Sequence, residues 1–447
     1  MPQSGKDPLA RPVGAELFIL TALVSLLVGT VLLFRERELM LGHFYRPEFL
    51  AITHTITLGW ISMLMMGVLV RLCPRALGIQ AKSRRWLLVQ YLLMLIGYTG
   101  MAFHFWSSLY LGMATAAVLI VLAAGIQIYN FSGVFARLRG PDWLPRYVFA
   151  AMLNFLLAAV LGTLLGFNKI YDVIGGQFFP NIFAHAHLAA LGWVTMTVIG
   201  FEHRLLPTSK PNAGTRWPAI RFWFLEAGVL GLVLSLLAVA RWMPLCAAVV
   251  AASLWMHAWR PAWMLLRGKV QDRASAWATI AILFMVLDSI AGLMLSLGIP
   301  GPQTAIRMRL QLVYGYVGLL GWITLTVMAL AYKLFPLFVW EERFRSMWGR
   351  EPVPAMRDLY STPVQTLSNG FVSIGVMGTS VGVIAGYLPL ITFFHGMVVV
   401  GAAAFMVNFF MMARWALLKK EFHPSKEDWE RFHFNFPDSR SREPRLE

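Results

Sequence analysis

The chain has 447 residues, of which 58% are hydrophobic and only 13% charged, with a formal net charge of +16 and a mean hydropathy of +0.64. Soluble globular chains carry about 25% charged residues, so this composition excludes a soluble multidomain protein. The positive charge follows the connections between apolar runs, which excludes nucleic acid as the reason for it.

Apolar runs of about twenty residues recur along the chain, enough to cross a hydrocarbon layer of roughly 30 Å at ~1.5 Å per residue. Twelve spans are predicted, at about 15–34, 50–73, 86–107, 109–130, 147–167, 183–207, 219–240, 243–264, 276–299, 310–336, 369–388 and 390–415. The first ends in Arg-Glu-Arg-Glu rather than in small residues and reads as a retained span, not a cleaved signal. Only Arg35, Arg37, Arg46, Lys169, Arg241, Arg307 and Arg309 of the 38 basic residues fall outside if the N-terminus is inside. The positive-inside rule then sets both termini in the cytoplasm. The expected layout is a cytoplasmic tail over 1–14, a membrane domain over 15–418 with a cytoplasmic loop at 340–362, and a charged tail over 419–447. Cys73 and Cys246 fall near opposite faces and are expected not to pair.

One stretch occurs three times. Residues 52–74 contain HTITLGWISMLMMGVLVRLCP from His54, 185–207 read HAHLAALGWVTMTVIGFEHRLLP, and 314–336 read YGYVGLLGWITLTVMALAYKLFP. The Leu-Gly-Trp sets and the closing Pro74, Pro207 and Pro336 align without a gap. The repeats fall on spans 2, 6 and 10, so the unit is four helices. The fold class is an all-α integral membrane protein of twelve transmembrane helices in three pseudo-symmetric four-helix repeats. Each motif glycine is expected to let a neighbouring helix approach closely, and each closing proline to mark where the span meets the cytoplasm.

The scaffold repeats while its polar residues vary. Four residues before the Leu stand His54, His187 and Tyr316; two before those stand Ile52, His185 and Tyr314. Imidazole in a membrane is costly and is kept for a partner, and it is a good ligand for haem iron, copper and zinc. His185 and His187 are ~200° apart on a helix, so they face two sites rather than closing on one metal. His54 and His187 share a repeat position, which makes a bis-imidazole haem between spans 2 and 6 geometrically reasonable. His104 and His395 fall at the same level and are candidates for a second metal site. Asp288, Glu226 and Glu202 are intramembrane carboxylates and proton-relay candidates, although Glu202 with Arg204 and Glu226 with Arg221 also read as static pairs. Arg307 and Arg309 suit bidentate carboxylate binding, such as haem propionates, or headgroup anchoring. Tyr314 and Tyr316 read as packing or hydrogen-bonding groups. No CxxCH, paired CxxC, phosphate loop or nucleophile motif occurs.

The motif helix resembles the two-histidine helix of haem–copper oxidase catalytic subunits, in particular cbb-type oxidases and nitric oxide reductases. The resemblance implies twelve core helices in three arcs, with His185 matching the reaction-site haem ligand and His187 with His54 the electron-transfer haem ligands. Here the pair lies on span 6 rather than span 10, and span 7 carries no histidine, so the resemblance implies a divergent member. Three functions follow as expectations. The first is a haem b-binding inner-membrane protein in electron transfer or oxygen and nitric oxide chemistry, with another respiratory subunit or electron donor as partner. The second is an active oxidase or nitric oxide reductase whose copper or non-haem iron is relocated to His54 and His104. The third is a cofactor-free transporter or sensor.

Overall fold

The computed structural model describes residues 14–175, 178–206, 216–238, 240–270, 272–301, 304–348 and 353–417. The tail histidines His423 and His433, and Pro207, lie outside the described residues. All regular structure among the described residues is helical, and twelve helices are long and apolar enough to cross a membrane. They are α1 Ala15–Arg35, α2 Pro47–Leu77, α3 Arg84–Trp106, α4 Tyr110–Asn130, α5 Leu144–Tyr171, α6 Phe178–Leu205, α7 Trp217–Leu237, α8 Ala240–Leu266, α9 Arg273–Ser296, α10 Ala305–Arg343, α11 Thr362–Ala385 and α12 Leu388–Ala416.

Each helix packs on its neighbours in the chain, and α12 returns to pack on α1. The motif helices α2, α6 and α10 also touch one another. Burial reflects this: 83% of the apolar stretch of α2 and 78% of that of α10 are buried, against 33% in α3, α8, α9 and α12. In lipid, apolar surface gains little from leaving the solvent, so close approach through small residues holds helices together. The motif glycines do this. A Cβ on Gly59 would fall 2.8 Å from Ser25 Oγ of α1, one on Gly192 2.8 Å from Asn154 Cβ of α5, and one on Gly321 2.7 Å from the Phe284 ring of α9. Gly375, Gly378 and Gly382 likewise bring α11 against the backbone or rings of Ile391, Phe394 and Val398 on α12.

Each motif helix contains an eight-residue π-helical segment: Thr55–Ser62, Leu188–Thr195 and Val317–Thr324. All three begin at the same repeat position. The i→i+5 spacing widens the helix, and such segments gather at functional sites. The motif tryptophans join the three segments in a closed ring. The indole of Trp60 donates to Thr324 Oγ1 (3.1 Å), that of Trp322 to Thr195 Oγ1 (3.1 Å), and that of Trp193 to Ser62 Oγ (3.2 Å). Each acceptor stands two residues after the next helix's own tryptophan.

One expectation changes. The closing prolines do not end their helices: α2 runs through Pro74 to Leu77 and α10 through Pro336 to Arg343. A proline so near a helix end removes one backbone hydrogen bond, and in α10 the buried Phe338 and Trp340 beyond it keep the helix packed. The connection expected at 340–362 carries a packed cluster of its own among the described residues. Trp340, Phe344, Val353, Leu359 and Trp415 form a small apolar cluster, and the Trp340 indole donates to the Pro354 carbonyl at 3.0 Å.

Candidate functional site

On the side where the motif helices begin, the bundle encloses a cavity of about 530 Å³, within the range of roughly 300–1,000 Å³ that small-molecule sites occupy. Most of its wall is apolar. Trp193 and Trp322 of the indole ring close its far end. The polar groups in the wall include His54, His185, His187, Asp288, Arg307 and Tyr314.

The histidines are set by their backbone contacts. His54 Nδ1 lies 2.7 Å from the Leu50 carbonyl, His187 Nδ1 2.7 Å from that of Phe183, and His185 Nδ1 2.9 Å from that of Ala158 on α5. A carbonyl only accepts, so each Nδ1 carries the proton and each Nε2 is left as a lone pair. This is how a metal-ligating imidazole is oriented. His54 also stacks on Phe105 at 5.0 Å.

The ~200° separation within the pair is realised. His185 turns to α5, where its ring fills the space over Gly162; a Cβ there would fall 2.6 Å from Cε1. It lies within electrostatic reach of His54. His187 turns to α10, where its Nε2 meets the Tyr314 hydroxyl at 3.0 Å. His54 and His185 have no hydrogen-bond partner at Nε2 among the described residues. Asp288 stands on the His187 side, near Tyr314, with Oδ1 buried and without a partner.

Other candidates are placed elsewhere. His395 is engaged at both nitrogens, by the Tyr316 hydroxyl at 2.8 Å and the Thr30 carbonyl at 3.2 Å, so no lone pair remains for a metal. His104 bonds the Gly100 carbonyl at 2.7 Å and lies against Gly112 of α4, outside the cavity wall. No group of three His, Cys, Asp or Glu among the described residues has metal-binding geometry. Arg307 lines the cavity and donates to the carbonyls of Pro300 (3.2 Å) and Leu295 (3.3 Å). Arg309 instead donates to Ile384 over Gly386 and does not line the cavity.

The static pairs read from sequence are also replaced. Arg204 pairs with Asp142, Glu202 with His257 at 2.7 Å, and Glu226 accepts from Asn154 at 2.9 Å. His257 and Asn154 lie on other helices and Asp142 in the connection before α5, none of which sequence proximity reveals. Lys169 was visible only as a span-end base. It lines the cavity, with Nζ 4.5 Å from the ring centres of both Tyr45 and Tyr110.

Neither a protein-family model nor a curated protein matches this chain.

Proposed function

We propose that the protein is a haem b-binding integral membrane protein serving electron transfer or oxygen and nitric oxide chemistry. The observation that carries this reading is the pair His54 and His185. Both imidazoles are anchored at Nδ1, both leave Nε2 without a protein partner, and both line one apolar cavity. Two imidazole lone pairs that no protein group occupies, at the wall of one apolar cavity, fit a ligand that accepts them. The donor set suits haem iron. It does not suit a copper or iron relocated to His54 and His104, because His104 lies against Gly112, outside the cavity wall.

His54 and His185 are the residues that would hold the iron, in preference to His54 with His187, whose Nε2 is taken by Tyr314. Arg307 and Lys169 are the cations at the wall that would meet the propionates. When bound, such a group would supply one-electron transfer or the binding of a diatomic gas. The protein's own part is to exclude water, orient the imidazoles and place Asp288 and Tyr314 beside the site.

The scaffold proposed is three four-helix units about a pseudo-threefold axis. Supporting it are the common register of the π segments, the cyclic indole bonds, and the packing of the motif glycines on α1, α5 and α9. The proposed setting is the inner membrane with both termini cytoplasmic, and a respiratory subunit or other electron donor as partner.

The test is the absorption spectrum of the purified protein, oxidised and dithionite-reduced, with a pyridine haemochrome assay. A b-type spectrum that is lost in His54→Ala and His185→Ala and kept in His187→Ala is the expected result. A colourless protein after expression with ample haem would overturn the reading in favour of a cofactor-free transporter or sensor.

A further inference from the structure

The far end of α6 holds a second cluster of buried polar groups, remote from the cavity. Glu202 is fully buried and His257 is 1% exposed. Glu202 Oε2 lies 2.7 Å from His257 Nε2, and His257 Nδ1 lies 3.4 Å from Arg221 Nη1. Arg221 remains charged and its N–H groups only donate, so Nδ1 of His257 faces it as a lone pair and Nε2 carries the proton given to Glu202. The chain of contacts is therefore guanidinium, neutral imidazole, carboxylate. Its charges balance with Glu202 ionised.

The cluster is not saturated. Glu202 Oε1, His203 Nε2 and Arg221 Nε are buried and have no hydrogen-bond partner. A purely structural ion-pair network is expected to satisfy its members, because each open polar atom in a low-dielectric interior costs stability. Here the open atoms include an acceptor oxygen on the carboxylate itself. Every packed element contributes: Tyr147 of α5 lies edge-on to His203 at 5.7 Å, His203 lies 6.0 Å from His257, and Arg260 of α8 is within electrostatic reach of Arg221. The exposed Asp142–Arg204 pair lies next to it along the chain.

The repeat isolates this feature. The positions equivalent to Glu202 are Leu69 and Ala331, and those equivalent to His203 are Val70 and Tyr332. The scaffold does not need a carboxylate here. The one motif helix that carries two cavity histidines also carries it.

We propose that Glu202, near the Leu205 end of α6, is an exchangeable proton-binding site. The proton adds to the open Oε1 oxygen; the His257 hydrogen bond to Oε2 is retained, and no covalent bond is broken. The inference rests on α5 to α8 and not on what fills the cavity, so it is testable on haem-free protein.

The experiment is infrared difference spectroscopy of the purified full chain in lipid nanodiscs as pH is lowered. A protonated-carboxyl C=O band that shifts in deuterated water is expected. It should be absent in Glu202→Gln and kept in Glu226→Gln. His257→Leu removes a donor to the ionised carboxylate and should raise the midpoint by about one pH unit. If Glu202→Gln fails to fold, Glu202→Asp should move the band frequency. A band unchanged in every Glu202 variant that folds, or no exchangeable band in the wild type, overturns the assignment.

Discussion

The three motif helices build two unlike regions on either side of the indole ring. On the histidine side they enclose about 530 Å³; on the proline side a void of only about 60 Å³ lies between them, lined by residues such as Leu64, Met65, Phe201, Leu334 and Phe335. The difference lies in side-chain size and in pairing. Ala158, Gly162, Ala189, Ala190, Gly315 and Gly318 line the hollow region, where His54, His185 and Asp288 keep open polar atoms. Near the proline end charges are mostly matched across helices: Arg71 with Glu16 and Glu342, Arg75 with Glu341, Lys333 with Asp272. Side chains too small to fill the space, next to polar atoms left without partners, mark a region built for a guest. Large side chains and closed pairs mark a region built for rigidity. The Glu202 cluster departs from this pattern by leaving a carboxylate oxygen buried without a partner.

The strongest way to break this comparison is to substitute one tightly packed and one open glycine of the motif helices. Gly192 and Gly315 both lie in motif helices. A Cβ on Gly192 would fall 2.8 Å from Asn154 Cβ, whereas one on Gly315 would meet nothing within 4 Å. Gly192→Ala should destabilise by about 1–3 kcal/mol through overpacking, less whatever helix propensity returns. Gly315→Ala should stabilise by up to about 1 kcal/mol from propensity alone. Thermal unfolding in micelles, followed by far-ultraviolet circular dichroism, reads both. Equal signs would mean that the hollow is not open at Gly315.

The indole ring comes next in size. Trp193→Phe keeps the ring stack with Phe155 at 5.0 Å but removes the bond to Ser62. A net loss of about 1 kcal/mol is expected. A double-mutant cycle with Ser62→Ala should show coupling of similar size, because both changes remove the same bond. No coupling would leave the ring as geometry without energetic weight.

The ring also shows how much was legible beforehand. The twelve spans and the glycine contacts follow from hydropathy and from the repeat. So did the opposed directions of His185 and His187, since helical periodicity alone fixes them. The hydroxyl two residues after each tryptophan, Ser62, Thr195 and Thr324, was equally visible as a repeated position and signalled the ring. The π segments were not legible, because nothing in Thr55–Ser62 distinguishes an i→i+5 turn from an ordinary one. Partner choice was the least legible. Glu202 meets His257, 55 residues away, and not Arg204 two residues away, because the two neighbours on α6 face different directions and α8 supplies the closer group. His395 carried a metal-ligand signal but meets Tyr316 and Thr30; only the packing of α12 on α1 and α10 decides that.

The smallest effect tests the paired side. Asp272 caps α9 by accepting from Ser275 N at 2.8 Å, and its Oδ2 lies 3.1 Å from Lys333 Nζ of α10. Burial works to raise its carboxyl, but the Lys333 charge and the Ser275 hydrogen bonds together hold it below the ordinary value. Lowered in the folded state, it contributes stability that is fully present above the unfolded value of about 4 and is lost as pH falls through the folded one. Asp272→Asn keeps the backbone cap, since Asn caps about as well as Asp, and removes the charge and the Oδ2 acceptor that Lys333 and the Ser275 hydroxyl share. At neutral pH the variant should therefore be less stable by about 0.5–1 kcal/mol, the upper range of a partly exposed ion pair. That difference should shrink steadily as pH drops from about 4. A deficit that persists unchanged in acid would show that the cap geometry, and not the charge pair between α9 and α10, holds this end of the bundle closed.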